Sequence, residues 1–192
     1  MDKIKIEPLR SSEVVEASVL LSRTFSPLPL ACAVFGDPSE EQRRLIEAGF
    51  KHIIEKLPGK VLLAKENDQI IGVMRIVEWP NCQKSSAQVL KLLPEEITLR
   101  LGKWRSIWAE HDPRKLHWHI DPLGVLPKRQ GKGVGSLLLE HFCGYVDKLK
   151  QAAYLETDVS RNVRLYKRFG FKVVGEAPVL AVPNWFMWRP SS

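Results

Sequence analysis

The sequence has few cysteines, and they form no disulfide framework and no zinc motif. Its 192 residues include three cysteines, Cys32, Cys82 and Cys143, which are widely spaced and outside any C-x-x-C pair. An odd number at such spacing argues against a structural zinc site and indicates a reducing compartment. We therefore expect a cytoplasmic location.

Long hydrophobic runs are also lacking. No apolar run approaches the roughly 20 residues that a membrane span needs, and the start, residues 1–5, alternates charged and apolar residues without a signal-peptide core. Hydrophobic residues make up 44% and charged residues 27%, which is ordinary for a globular protein. The length and composition predict one domain over residues 1–192 and no membrane partner.

Positive charge is in excess but is not concentrated. Lys plus Arg is 29 and Asp plus Glu is 22, which gives a net charge of +7. Such a balance favours a polyanionic partner, which can be nucleic acid, an anionic membrane or a phosphorylated cofactor. The densest basic piece, residues 128–132, is interleaved with glycine rather than with aromatic residues. We therefore expect no nucleic-acid partner.

Hydrophobic periodicity predicts an α/β protein. Helices are expected over residues 11–25, 37–57, 134–149 and 162–169, and strands over residues 3–7, 61–64, 70–77, 116–125, 153–157, 171–174 and 185–188. Residues 80–115 are harder to interpret, although leucines near Pro94 and the pair Trp104 and Trp108 indicate helix. This helical insertion is either a lid over a site or a surface subdomain.

A glycine-rich turn, Gln130–Ser136, follows a predicted strand and opens a helix. Its three glycines free the backbone to turn several N–H groups toward one point, and the helix adds its positive end. The spacing matches neither a nucleotide-triphosphate loop nor a dinucleotide fingerprint. The turn predicts a phosphate or pyrophosphate site, and the alternative is a chain reversal without a ligand.

Further residues around this turn resemble the GCN5-related N-acetyltransferase (GNAT) superfamily. The resemblance covers residues 116–175 and consists of Gln130-x-x-Gly133-x-Gly135, the preceding Leu123–Val125, the following Leu155–Thr157 with Asn162, and Tyr166-x-x-Phe169-Gly170-Phe171. His117-Trp118 and residues 162–166 resemble the puromycin-N-acetyltransferase-like branch. The resemblance implies a central mixed β-sheet flanked by helices, with two splayed parallel strands and acetyl-CoA between them.

The resemblance also implies which residues bind acetyl-CoA. A bulge at Gly124 would open the gap between the strands, Lys128, Arg129 and Lys132 could meet the ribose 3′-phosphate, and Asn162 would touch the cofactor. The alternative for the three basic residues is a solvated loop, and the residue type of Asn162 also predicts that it caps the short helix. The implied cofactor-binding residues are Leu123, Gly124, Val125, Gln130, Gly131, Lys132, Gly133, Val134, Gly135, Ser136, Asn162 and Tyr166.

Acetyl transfer to an amine needs a base, an oxyanion donor and an acid for the departing thiolate. The resemblance implies Tyr166 as the acid and Glu156 as the first choice of base, while the Val125 amide is the oxyanion donor. His119, whose ordinary pKa suits a base, is the second choice. The alternatives are a core aromatic for Tyr166, a buried carboxylate for Glu156 and a structural histidine for His119.

The sequence argues against a metal site and against an acyl-cysteine intermediate. His117, His119 and Asp121 occupy alternate positions and could bind a metal on one strand face, but no ligand motif supports this, and we predict no metal. Cys143 falls on the apolar side of a predicted helix, so we expect no acyl-cysteine intermediate there.

The leading hypothesis is an acetyl-CoA-dependent N-acetyltransferase that acts on a primary amine of a small molecule by direct attack in a ternary complex. The alternatives are a non-catalytic CoA-binding or sensor domain, and a protein N-terminal or lysine acetyltransferase. Residues 25–37, 80–115 and 176–184 are expected to build the acceptor site. Trp104, Trp108, Trp118 and Trp185 could line it, and the alternative for each is ordinary core and rim packing. Monomer and homodimer remain open.

Overall fold

The computed structural model describes residues 4–83 and 93–191. The helices are α1 (Val14–Phe25), α2 (Pro29–Phe35), α3 (Glu40–Lys56), α4 (Glu95–His111), α5 (Val134–Lys148) and α6 (Ser160–Arg168). The strands are β1 (Lys5–Pro8), β2 (Lys60–Glu66), β3 (Gln69–Glu78), β4 (His117–Val125), β5 (Ala152–Thr157), β6 (Lys172–Val179) and β7 (Val182–Arg189). Short 3₁₀ turns lie at Ser11–Glu13, Asn81–Gln83 and Pro127–Arg129.

One mixed seven-stranded sheet organises these elements. The strand order is β1-β2-β3-β4-β5-β7-β6. Strands β4 and β5 pair in parallel, and the other neighbours pair antiparallel. The mixed α/β fold class predicted from the sequence is confirmed.

The two parallel strands separate part of the way along. Their pairing runs only from His117 opposite Ala152 to His119 opposite Tyr154, although both strands continue. On the other side of β4, Met74 pairs with Leu123 and Ile76 with Ile120, so that two residues, 121 and 122, oppose Arg75. This two-against-one register is a β-bulge, which bends the strand that carries the extra residue. The bend and the separation therefore begin at the same point of β4.

The β-bulge lies at residues 121 and 122 and not at the position predicted from the sequence. Gly124 pairs in regular register with Val73, so the expected bulge at Gly124 is wrong. A Cβ at Gly124 would lie 2.8 Å from Leu21 Cδ2 on α1. Glycine is required there because α1 packs closely on this face of the sheet.

Helix α5 covers the opposite face of the sheet. A Cβ at Gly72 would lie 2.9 Å from Val134 Cγ1 and 3.1 Å from Leu138 Cδ1 on that helix. Val134, Leu138, Phe142 and Val146 of α5 recur at helical spacing and are buried, as the sequence pattern predicts, whereas Leu137 is exposed. The larger core cluster lies between α5 and the sheet, and a smaller one lies under α1.

Two of the segments expected to build the acceptor site have regular secondary structure. Residues 25–37 contain α2, which begins with Pro29 at its first position, where proline's fixed φ suits a helix. Residues 176–184 belong to the β6–β7 hairpin, whose turn places Leu180 and Ala181 at φ of 49° and 66°. Within 80–115, α4 occupies Glu95–His111, while Leu90 and Leu92 lie outside the described residues.

In the described ranges, no single helix is long and apolar enough to cross a membrane. Two consecutive helical segments, Ser11–Phe25 and Pro29–Phe35, are together long and apolar enough to do so, but the chain bends by 97° between them.

Candidate active site

A cavity of about 1150 Å³ lies where β4 and β5 separate. Its walls come from α1 to α4, from the ends of β4 and β5, from the glycine-rich turn and from α6. Ligand pockets generally measure about 300–1,000 Å³. This cavity is therefore large enough for two ligands side by side.

The glycine-rich turn forms an open cradle at one end of the cavity. Gly131 and Gly133 have φ of 73° and 85°, and α5 begins immediately afterwards at Val134. A Cβ at either glycine would meet no atom within 4 Å, so the space in front of both is open. The first N–H groups of α5 have no intrahelical partner, and a phosphate is a natural acceptor for them. The turn therefore fits the pyrophosphate that the sequence predicts.

Most of the residues predicted to bind cofactor meet in this cavity. Of the twelve, ten line it and two, Gly124 and Lys132, lie outside the lining. Asn162 lines the cavity from inside α6, where it is the third residue. The expectation that Asn162 caps this helix is wrong, because the cap position is Val159.

The edge of β4 offers backbone groups to the gap. Leu126 N–H donates to Ile71 O at 3.0 Å, and bonded pairs alternate along an antiparallel ladder. Gly124 therefore directs its backbone polar groups toward β3, whereas Leu123 and Val125 direct theirs toward β5. The Val125 carbonyl accepts from Gln130 Nε2 at 3.1 Å, which confirms its direction.

The predicted basic cluster is divided. Arg129 forms an ion pair with Glu66 on β2, while Lys128 and Lys132 are exposed. Arg161 of α6 donates to Gln130 Oε1 at 3.2 Å and also lines the cavity. Arg161 therefore adds a positive charge near the turn that the sequence analysis did not identify.

His119 and Glu156, predicted separately, contact each other. His119 Nε2 lies 2.6 Å from Glu156 Oε2, and their side chains are 9% and 2% exposed. Burial raises the pKa of Glu156. Burial opposes a charged His119 ring, but the carboxylate of Glu156 outweighs it and holds the pKa of His119 well above its usual value. The ring therefore donates Nε2–H to the carboxylate, and both residues line the cavity.

Tyr166 lies on α6 and lines the same cavity. It is buried, and its ring packs against Phe171 at 6.1 Å between centroids. Burial raises the pKa of Tyr166 well above 10. Its hydroxyl therefore keeps its proton at neutral pH, as a proton donor must.

A second polar cluster touches the cavity near His119. Cys82 Sγ lies 3.5 Å from Asp112 Oδ2, and His117 Nε2 lies 3.3 Å from Asp112 Oδ1. Burial disfavours a charged His117 ring, but Asp112 and other neighbours raise its pKa to about 9. Burial disfavours the thiolate of Cys82, yet the two histidines lower its pKa. The sequence gives no pattern for this cluster, because Cys82 and Asp112 are 30 residues apart.

Asp121 does not join the histidines as their spacing predicts. Its carboxylate accepts from Arg75 Nη1 at 3.2 Å, and the bulge interrupts the alternation of side chains after Ile120. A metal site made of His117, His119 and Asp121 therefore does not form.

Four aromatic side chains give the cavity an apolar wall. Phe25 and Phe50 meet edge to face at 5.2 Å, as do Trp104 and Trp108 at 5.0 Å. All four line the cavity, whereas Trp118 and Trp185, also expected there, lie outside its lining. Trp118 packs on Tyr145 of α5 instead.

Comparison with known proteins agrees with this geometry. The family model described as "Acetyltransferase (GNAT) family" matches residues 23–171. The chain therefore belongs to the GNAT acetyltransferase family, and the predicted enzyme class, an N-acetyltransferase, is confirmed. Members of this family generally use acetyl-CoA.

Solved structures share the fold over almost the whole chain. One, a histone acetyltransferase HPA2 and related acetyltransferase from Corynebacterium glutamicum, is 22% identical with a TM-score of 0.74, covering 100% of this chain and 98% of that one. A mosquito arylalkylamine N-acetyltransferase like 5b is 14% identical with a TM-score of 0.70, and the match covers 97% of this chain and 99% of that one. A Drosophila melanogaster polyamine N-acetyltransferase is 14% identical with a TM-score of 0.65, covering 97% and 98%.

Proposed function

We propose that this protein transfers the acetyl group of acetyl-CoA to the primary amine of a small, largely apolar molecule. The observation that carries the proposal is that one cavity joins an open phosphate cradle, a buried His119–Glu156 pair, Tyr166 and an aromatic wall. The N-acetyltransferase family to which the chain belongs supplies the reaction class. The puromycin-N-acetyltransferase-like branch stays a prediction.

The glycine-rich turn and β4 bind the co-substrate in this proposal. Backbone N–H groups of residues 131–136 hold the pyrophosphate, and the free edge at Leu123 and Val125 pairs with the pantetheine amides. Lys128 and Lys132 are the candidates for the ribose 3′-phosphate, because Arg129 is engaged by Glu66. These contacts direct the thioester into the gap between β4 and β5.

Three groups of this chain then move protons and charge. Glu156 accepts a proton from the ammonium form of the acceptor, directly or through a water molecule, and His119 holds the carboxylate in place. The neutral amine attacks the thioester carbonyl carbon, and the Val125 N–H stabilises the oxyanion. The C–S bond breaks, Tyr166 gives its proton to the departing thiolate, and the excess proton on the newly acylated nitrogen returns to the Tyr166 oxygen, directly or through a water molecule. The products are the acetylated amine and CoA.

The aromatic wall supports an apolar acceptor. Phe25, Phe50, Trp104 and Trp108 provide apolar surface for the acceptor, and their rings provide π faces for an ammonium group. This combination favours an arylalkylamine or alkylamine over a protein substrate, which would need an open groove. One structural neighbour is an arylalkylamine N-acetyltransferase-like protein.

Calorimetric titration with acetyl-CoA, followed by an amine panel with thiol-release detection, tests the proposal. We expect micromolar binding of acetyl-CoA, weaker binding of a CoA that lacks the 3′-phosphate, and turnover with arylalkylamines. Binding without turnover of any amine or peptide would favour the sensor alternative. Failure to bind acetyl-CoA at millimolar concentration would remove the enzyme hypothesis.

A cysteine in the cavity could form an acetyl-enzyme intermediate, so the direct attack of the amine on acetyl-CoA needs a separate test. Burial raises the pKa of Cys143 to about 11, which makes that thiol unreactive, but Cys82 lines the cavity. Incubation with acetyl-CoA in the absence of amine should leave the mass of the intact protein unchanged. A stoichiometric gain of one acetyl group on Cys82 would replace the ternary complex by a two-step route. The three cysteines form no disulfide among the described residues, and the cytoplasmic location stays a prediction.

A further inference from the structure

Four potential metal ligands converge beside the cavity. They are Cys82 in the turn Asn81–Gln83, Asp112 directly after α4, and His117 and His119 on β4, and we call them the Cys82 cluster. One ligand atom from each lies within 4.8 Å of the other three.

Each histidine of the Cys82 cluster presents a buried ring nitrogen at which a metal ion would replace the proton. His117 Nδ1 lies 2.7 Å from the Lys115 carbonyl, to which it donates. His119 Nε2 donates to Glu156. Within the described part of the chain, the opposite nitrogens, His117 Nε2 and His119 Nδ1, are buried and have no hydrogen-bond partner. A buried polar atom without a partner is costly, so its presence calls for a ligand.

This arrangement is the one that metal-binding histidines use. A ligating imidazole generally donates its other N–H to a carbonyl or a carboxylate, which fixes the tautomer and directs the free lone pair at the ion. His117 has the carbonyl of Lys115, and His119 has the carboxylate of Glu156. Both free nitrogens belong to the cluster with the Cys82 thiol and the Asp112 carboxylate.

We propose that Cys82, Asp112, His117 and His119 bind one Zn²⁺ ion. Tetrahedral zinc with bonds of about 2.0–2.3 Å needs ligand atoms about 3.3–3.8 Å apart. The distance from Cys82 Sγ to Asp112 Oδ2 is 3.5 Å, and that from His117 Nε2 to Asp112 Oδ1 is 3.3 Å. A thiolate and a carboxylate balance the charge of the ion, and the mixture of sulfur and imidazole ligands selects zinc over magnesium or calcium.

The site has a structural consequence because its ligands come from both ends of one segment. Cys82 follows β3, and Asp112 precedes β4. One ion would therefore fasten both ends of residues 82–112 to β4, beside the acceptor side of the cavity. The sequence prediction of no metal considered only the alternation on β4, and it missed the two ligands that the chain brings from elsewhere. The site shares His119 with the proposed acetyl transfer, but zinc binding can be measured without any substrate.

Zinc binding to the metal-stripped full chain tests the proposal without any substrate. Competition with a chromophoric chelator should give one Zn²⁺ per chain, and Co²⁺ should give the visible bands of a tetrahedral ion with a thiolate charge-transfer band. Cys82→Ser and His117→Gln should each weaken zinc binding at least tenfold. The matched control is Cys32→Ser, because Cys32 lies outside the cluster; it should bind zinc as the wild type does.

Chemical modification keeps the test decisive if a variant does not fold. Zinc should slow the alkylation of Cys82 in the wild-type chain at least tenfold, while alkylation of Cys32 stays unchanged, as read by peptide mass spectrometry. Magnesium should protect neither cysteine. The proposal is overturned if the wild type binds less than half an equivalent of zinc, if folded Cys82→Ser binds zinc as well as the wild type, or if zinc does not protect Cys82.

Discussion

At the scale of single residues, the proposed reaction assigns acetyl-CoA binding and proton transfer to different residues. Tyr166 and Glu156 belong to different elements, α6 and β5, and both line the cavity between the separated strands. The turn glycines act through their backbone alone. Substitutions can therefore remove a reaction step or a binding contact one at a time.

Tyr166→Phe removes the proposed acid and little else. We expect kcat to fall about tenfold to a hundredfold, because the thiolate then departs without a proton donor, while the Kd for acetyl-CoA stays within about twofold. Steady-state kinetics with thiol release and calorimetry give the two numbers. Tyr145→Phe is the matched control, because that hydroxyl accepts from Lys60 at 2.7 Å and lies outside the cavity lining. Unchanged turnover in Tyr166→Phe would refute the acid.

Gly135→Ala tests whether the third glycine serves the turn or the ligand. A Cβ there would make ordinary contacts of 3.8–3.9 Å with Val125, Leu123 and Leu165, and alanine favours helix over glycine by about 1 kcal/mol. Thermal unfolding should therefore show equal or greater stability.

The same Gly135→Ala substitution should weaken acetyl-CoA binding about tenfold, since the methyl group enters the cradle. Gly144→Ala is the control, because this α5 position has no atom within 4 Å of a Cβ and lies outside the cavity lining. Equal acetyl-CoA affinity in both variants would mean that the ligand does not approach Gly135.

At the scale of elements, a buried ion pair fastens the amino-terminal strand and turn to the sheet. Lys65 of β2, whose side chain is 6% exposed, contacts Glu7 of β1 at 3.1 Å and Glu13 at 2.5 Å. The hydrogen bond from Lys65 holds the pKa of Glu13 below its ordinary 4.5. A carboxyl with a lowered pKa in the folded state stabilises the fold above its unfolded pKa, and this contribution is lost as the pH falls through the folded value.

Glu13→Gln should therefore lower the free energy of unfolding by roughly 1–2 kcal/mol at pH 7. The difference from wild type should shrink as the pH is taken below 4.5, since wild-type Glu13 then also becomes neutral. Urea unfolding of both proteins at pH 7 and at a pH below 4.5 measures this difference in the free energy of unfolding. Glu16→Gln, at an exposed position of α1, is the control. A difference that does not change with pH would mean that the Glu13 charge contributes nothing.

At the scale of the whole molecule, ligand binding and stability are linked. At a concentration one hundred times its Kd, acetyl-CoA should stabilise the fold by about 2.7 kcal/mol. For a chain of this size, that corresponds to a rise in Tm of about 5–10 °C. Differential scanning fluorimetry with CoA and with CoA lacking the 3′-phosphate measures the rise, which should be smaller for the truncated ligand at equal concentration. No rise at any concentration would argue against a preformed site.

The sequence predicts features that depend on neighbouring residues and misses those that depend on contacts between distant segments. Helix α5 and the turn before it are local features, and their glycines and helical periodicity are visible in a short window. Helix α2 was missed because seven residues beside two prolines carry no periodic signal. The bulge at residues 121–122 depends on pairing with β3, and the meeting of Cys82 with Asp112 depends on how β3, α4 and β4 pack. Contacts between distant segments leave no mark in a single sequence.

One hydrogen bond joins α2, which lines the cavity, to the end of β5, the strand that carries the proposed base Glu156. The backbone N–H of Leu30, near the start of α2, donates to Asp158 Oδ2 at 2.9 Å, and Asp158 follows the end of β5 two residues after Glu156. An acceptor that displaces α2 therefore also pulls on the segment that carries the base. Poorly fitting amines should then be discriminated by slower turnover as well as by weaker binding, so that selectivity is a property of the rate and not of affinity alone.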